Sequence, residues 1–309
     1  MIDTPLREII ARHGLSARKG LGQHFLLDLN LTGRIARAAG DLAGVTVIEV
    51  GPGPGGLTRA LLGTGARGVV AVERDERCVA ALAELEDAAA GRLRVVAGDA
   101  LALDLVALAE APRAIVANLP YNIATPLLLG WLRRIDQFES LTLMFQKEVA
   151  ERLTAAPGSK SYGRLTVITA WRTEARTLFT LPARAFTPPP KVDSAVVRLT
   201  PRRGPEAAPW PALERVTAAA FGQRRKMLRA SLRVLGNPEA LLAEAGLAPT
   251  LRAEEVDVAG FAALARALAT REGPTVSGVP APGYDGSLNE NDFVGSAHTR
   301  KGPDGPLNP

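Results

Sequence analysis

Cysteine and histidine are scarce in this chain of 309 residues: there is one cysteine, Cys78, and the three histidines, His13, His24 and His298, lie far apart. That set builds neither a disulfide framework nor a zinc cluster, so no metal is expected and a reducing cytoplasm is the simplest compartment. Long apolar runs are also missing. Residues 1–20 carry charges every few positions, without the apolar core of a signal peptide, and no later stretch approaches membrane length, so no membrane partner is expected. A surplus of acid is absent too: 37 Lys and Arg stand against 32 Asp and Glu, giving +5 and a pI near 9.7, a balance that favours an anionic partner. What is plentiful is apolar surface, 47% of residues, enough for one large domain and a smaller one.

Residues 2–14 have the pattern of a short amphipathic helix, followed by a basic, glycine-broken arm from Ser16 to Phe25. A helix is expected from Leu26 to Ala39, with Asp28 or Asn30 as its cap. Strands then alternate with helices: Val45–Val50, helix 57–62, Gly68–Val72, helix 76–90, Leu93–Ala97, the run Ala114–Ala117 ending at Asn118, a helix opened by Thr125 and Pro126, and Ser140–Phe145. This spacing indicates βαβ units and a parallel sheet. Glu49, Glu73, Asp99 and Asn118 all fall at strand C-terminal ends, the edge where open α/β sheets bind ligands. Lys147–Ala155 reads as helical, residues 158–163 as a basic loop, and Phe186–Val192 as a rigid extended segment leading into a strand near Val196. After Pro201 the composition shifts, and residues 209–271 have helical spacing. The stretch beyond Arg271 is about a third Gly and Pro and is expected to be disordered.

Two motifs carry chemistry. Gly51-Pro52-Gly53-Pro54-Gly55-Gly56 follows the first strand and matches the dinucleotide pattern, with Glu73 placed like a ribose-binding carboxylate, so an NAD enzyme remains open. Glu49 before the glycines and Asp99 after the third strand turn the reading toward S-adenosyl-L-methionine, with Glu73 accepting from the ribose hydroxyls and Asp99 from the adenine amino group. Asn118-Leu119-Pro120-Tyr121 sets an amide, a carbonyl fixed by Pro120 and an aromatic ring together. The set suits a flat base with an exocyclic amino group; it also describes an ordinary strand-to-loop turn. Cys78 has no histidine to activate it and reads as a packing residue, which argues against methylation at pyrimidine carbon.

Phe221 to Arg229 is read as opening a helix in which Arg225, Arg229 and Arg233 recur every four residues beside Phe221, Leu228, Leu232 and Leu235. Such a ridge suits an RNA backbone and equally a solvated face.

Together, Gly22–Asp28, Glu49–Gly53, Asn118–Ile123, Phe186–Ser194 and Phe221–Lys226 resemble the bacterial 16S ribosomal RNA adenine N6-dimethyltransferases. The resemblance implies a Rossmann-like class I methyltransferase sheet with a small C-terminal helical domain. Its divisions are an arm at 1–22, an S-adenosylmethionine-dependent domain at 23–202, a helical RNA-binding domain at 203–272 and a tail at 273–309. It implies cofactor contacts at His24, Leu26, Gly51, Glu73, Asp99 and Asn118, with His24 standing where many relatives carry Asn. Asn118, Leu119 and Tyr121, with Phe186 as a second stacking ring, are expected at the catalytic centre, and Arg224, Arg225, Lys226, Arg229 and Arg233 on RNA. The implied substrate is two adjacent adenosines near the 3′ end of 16S rRNA in the immature 30S subunit, approached by a monomer.

Overall fold

The computed structural model describes residues 4–204 and 207–272; the tail expected at 273–309 lies outside the described residues. Helix α1 (Leu6–Arg12) opens the described chain, and its Ile9 packs with Leu15, Cys78 and Ala81. Strand β1 (Phe25–Leu26) leads into α2 (Leu29–Ala38), whose cap is Asp28: its carboxylate accepts from the amides of Asn30 and Leu31. The sheet follows as β2 (Thr46–Val50), α3 (Gly56–Leu62), β3 (Gly68–Glu73), α4 (Glu76–Ala88), β4 (Leu93–Ala97), α5 (Leu105–Leu108), β5 (Arg113–Asn118), α6 (Tyr121–Arg133) and β6 (Ser140–Gln146). Then come α7 (Lys147–Leu153), α8 (Arg164–Arg172), β7 (Thr173–Leu181), β8 (Phe186–Thr187) and β9 (Ser194–Pro201).

The large sheet has the order β4-β3-β2-β5-β6-β9-β7, parallel through β6 and antiparallel over the last two strands. Its β-branched centre is buried on both faces: Val47, Ile48, Ile115 and Val116 are inaccessible, as strands covered by helices on both sides require. Residues 164–181, which the sequence pattern leaves without an element, form α8 and β7. A separate two-stranded ladder joins Phe25 to Thr187 and Leu26 to Phe186, tying the N-terminal arm to the segment before β9.

The helix expected to open at Thr125 begins four residues earlier, at Tyr121, with Pro120 as its cap residue and Pro126 inside it. Pro120 pre-sets the entry, whereas Pro126 only forgoes an amide bond to the Asn122 carbonyl in the second turn. Tyr121 therefore stands at a helix N-terminus rather than in a loop.

The C-terminal part comprises α9 (Trp210–Gly222), α10 (Leu228–Ser231), α11 (Pro238–Glu244) and α12 (Val258–Glu272). Its core is not confined to residues after 203. Tyr162, Val167 and Trp171 pack with Val216, Leu228, Phe261 and Leu264, while Leu165 and Ile168 of the same helix, α8, belong to the core beneath the sheet. The Tyr162 hydroxyl donates to the Val256 carbonyl at 2.8 Å, fastening the two parts further.

Candidate active site

Strands β2, β3 and β5 and the arm before β1 converge on one cleft of about 1120 Å³, counting its open mouth. His24, Leu26, Gly51, Glu73, Asp99, Asn118, Leu119 and Tyr121 all line it. Phe186 does not. Its ring is 3% exposed and packs with Leu181, Met144 and Val196, because pairing with Leu26 turns its side chain into the core. The expectation of a second stacking ring at Phe186 is therefore corrected: among the residues proposed to stack, Tyr121 alone reaches the cleft.

The Asn118 side chain is oriented by the arm. Its Nδ2 donates to the His24 carbonyl at 3.3 Å, and because that oxygen can only accept, Oδ1 is the end left for a ligand. Leu119 buries its side chain, 2% exposed, so only its backbone serves the cleft. The Tyr121 hydroxyl meets the Ser194 hydroxyl at 2.5 Å, and burial raises its pKa above the ordinary phenol value. The ring is thus tethered at its far end, while His24 stacks against it with centroids 5.7 Å apart. His24 Nδ1–H donates to the Pro188 carbonyl at 2.7 Å. Ser194 and Pro188 lie within the Phe186–Ser194 motif, but these contacts span 73 and 164 residues and no local pattern announces them.

The glycine turn packs against the arm too closely for side chains at two of its positions. Gly53 has φ of 56°, and a Cβ there would lie 3.2 Å from the Phe25 ring; one on Gly56 would lie 2.7 Å from the Leu26 carbonyl. Glu73 holds this turn. Its Oε2 accepts from the Gly53 amide at 3.0 Å, and Oε1 accepts from the amides of Arg74 and Asp75 at 2.8 Å each. Asp99 accepts from the Leu101 amide at 3.0 Å and pairs with the Arg74 guanidinium at 3.2 Å.

The profile of the ribosomal RNA adenine dimethylase family matches residues 14–270. Ribosomal RNA small subunit methyltransferase A of Paramagnetospirillum magneticum is 66% identical over 268 residues, covering 86% of this chain and 95% of that one. The chain belongs to the ribosomal RNA adenine dimethylase family. The protein of the same name from Rhodospirillum rubrum is also 66% identical, over 265 residues, 85% of this chain and 92% of its own. Among solved structures, a dimethyladenosine transferase from Plasmodium falciparum superposes with a TM-score of 0.67 at 26% identity, covering 78% of this chain and 96% of that one. The 23S rRNA methyltransferase ErmE gives 0.61 at 31%, covering 79% and 99%. The fold is thus the Rossmann-like methyltransferase sheet with a C-terminal helical region, and the activity is dimethylation of adenine in rRNA with S-adenosylmethionine as methyl donor.

The dimethylase cleft fits that donor in two ways. The glycine turn runs so close to the arm that a Cβ on Gly53 or Gly56 would press on the Phe25 ring or the Leu26 carbonyl, and Glu49, 1% exposed at the cleft floor, keeps Oε2 buried without a hydrogen-bond partner among the described residues. Burial pushes the Glu49 carboxyl from the ordinary 4.5 up to about 8; the Thr58 hydroxyl opposes this and the Glu73 charge adds to it. Between those two values the unfolded chain ionises Glu49 while the folded dimethylase keeps it neutral. Stability of the ligand-free enzyme therefore falls as pH rises from 4.5 to 8, by up to about 1.4 kcal/mol per pH unit, and the loss levels off above 8. Glu49→Gln is expected to flatten this slope in thermal melts taken from pH 5 to 8; an unchanged slope would refute the assignment.

The arm of the dimethylase is latched from the side as well. Asp75, 4% exposed, accepts from Gln23 Nε2 at 3.0 Å and pairs with Arg77 at 2.6 Å, and the Arg77 guanidinium holds its carboxyl down at about 2. Arg77 also donates to the Ser16 carbonyl at 3.3 Å. The Cys78 thiol, pushed up to about 12 by burial, is inert packing beneath α1.

The basic segment differs from the expected helix. α9 ends at Gly222, residues 223–227 turn, and α10 is followed by a 3-10 turn over Leu232–Leu235. A 3-10 turn has three residues per turn, so four-residue spacing no longer keeps Arg225, Arg229 and Arg233 on one ridge. All three, with Lys226, are exposed, while Leu228 and Leu232 are buried. Arg224 is engaged within the protein: Nε pairs with Glu254 at 2.9 Å and Nη2 donates to the Ser159 carbonyl at 3.3 Å, fixing the turn that presents its neighbours. No helix among the described residues is long and apolar enough to cross a membrane.

Proposed function

We propose that this enzyme methylates the N6 amino groups of two adjacent adenosines near the 3′ end of 16S rRNA, acting in the cytoplasm as a monomer on the immature 30S subunit and without a metal. The observation that carries the site assignment is the Asn118 amide, whose oxygen the His24 carbonyl leaves facing the cleft beside a tethered Tyr121 ring. The small subunit is favoured over the large one by the 66% identity to relatives named for it, against 31% to the 23S enzyme.

When bound, S-adenosylmethionine would supply an electrophilic methyl group on a sulfonium, whose sulfur keeps the pair of the broken S–C bond and leaves as a neutral thioether. His24, Leu26, Gly51, Glu73, Asp99 and Asn118 would hold it along the strand ends. The adenine amino nitrogen is a weak nucleophile because its lone pair is delocalised into the ring. In the first transfer Asn118 Oδ1 and the Leu119 carbonyl, each accepting one N–H, favour the pyramidal nitrogen that attacks; in the second, one N–H remains for them. Tyr121 stacks on the extruded base, a contact of about 1–3 kcal/mol. The nitrogen sheds its proton to solvent as the N–C bond forms, and holding the reactants in line supplies much of the remaining acceleration. The helical part, residues 203–272, serves as the RNA-binding domain through Arg225, Lys226, Arg229 and Arg233, with Arg224 setting their turn.

Incubation with radiolabelled cofactor and unmethylated 30S subunits, followed by nucleoside digestion, is expected to yield N6,N6-dimethyladenosine from the 3′ end of 16S rRNA. Label confined to 50S subunits, or no dimethyladenosine, overturns the proposal.

A further inference from the structure

Away from the helical domain, the far edge of the sheet gathers positive charge that is little offset among the described residues. Arg176 on β7 and Arg198 on β9 are directly opposed partners, so both side chains leave the sheet on the same face. Past the irregularity between Thr177 and Phe179, the next pair on that face is Phe179 with Val196, and the Arg34 guanidinium of α2 lies 3.9 Å from the centre of the Phe179 ring. The same helix ends beside Arg198: a Cβ on Gly40 would fall 2.6 Å from an Arg198 guanidinium nitrogen. Arg37, three residues from Arg34 and so its neighbour on the helix surface, is also exposed.

Like charges directly opposite across a strand pair destabilise it. Here they are barely offset. Among the described residues, Arg34, Arg37 and Arg198 enter no ion pair, and Arg176 reaches only Glu174, at 3.7 Å, with the two side chains 79% and 64% exposed. Exposed pairs of this kind contribute little. Guanidinium groups match phosphate oxygens in a two-pronged geometry, and the Phe179 ring on this face is covered on one side by Arg34.

We propose that this face of α2, β7 and β9 grips the sugar-phosphate backbone of the rRNA substrate, a second anchorage independent of residues 225–233. It rests on the rRNA reading above and adds a contact that carries affinity without base selection.

The test uses the full chain and unmethylated 30S subunits, with binding measured across a salt series. The Arg34→Gln/Arg176→Gln double variant is expected to bind several-fold to tenfold more weakly near physiological salt. The slope of log affinity against log salt should shrink by about 1.4–1.8, that is about 0.7–0.9 for each lost phosphate contact. Cofactor affinity should stay unchanged. Arg176→Gln alone, which disturbs no ring contact, should shrink the slope by about half as much. Unchanged affinity and slope in both variants, with an Arg225→Gln/Lys226→Gln variant showing the loss, overturns the second anchorage while leaving the functional reading intact. Wild-type protein that neither binds nor methylates 30S subunits overturns both.

Discussion

Replacing Asn118 by alanine is expected to lower kcat by about 100- to 1000-fold, the usual consequence of deleting one preorganised hydrogen-bonding group at a reacting centre. Alanine removes the oxygen that accepts from the adenine amino group and also the donor to the His24 carbonyl, so the arm loosens as well. Cofactor affinity, measured by calorimetry, should fall by less than about tenfold, because Glu73, Asp99 and the glycine turn remain. Asn118→Asp separates the two functions of the amide: its oxygens accept but cannot donate to His24, so it should also be impaired. An alanine variant retaining more than about a tenth of wild-type turnover would remove Asn118 from the transfer step.

Glu73→Gln is expected to act on binding and on the fold together. The carboxylate accepts from three backbone amides, those of Gly53, Arg74 and Asp75, and is 6% exposed. A glutamine oriented to keep the pair at Arg74 and Asp75 would turn its NH2 group toward the Gly53 amide, donor against donor. Each buried amide left without an acceptor costs about 1–3 kcal/mol. A cofactor affinity loss of at least about tenfold and a clear drop in Tm should appear together. A variant with wild-type affinity and Tm would show that Glu73 does not hold the glycine turn.

The methyl-donor half of the cleft was legible because its signals are local. β-Branched runs ending at Glu49, Glu73 and Asn118, with a glycine turn after the first, set strand ends side by side in any parallel sheet. The features that orient the side chains are long-range and leave no local trace. Gln23 reaches Asp75 across 52 residues, and Tyr121 meets Ser194 across 73. At Phe186 the Phe-Thr-Pro-Pro-Pro pattern announces an extended segment but not which face its pairing with Leu26 buries. Helix α8 carries no periodic signal for a different reason. It is apolar on two sides, so it lacks the single stripe by which a surface helix is recognised.

That two-sided helix also sets how force and position pass through the molecule. Leu165 and Ile168 are embedded in one core and Val167 and Trp171 in the other, so turning the helical part against the sheet would tear α8 out of one of its two seats. A catalytic fragment cut at residue 203 would leave Val167, Trp171 and Tyr162 bare, an adhesive apolar patch in place of a finished surface. In the intact chain one helix thus belongs to both cores and ties the helical part to the sheet that carries the cleft.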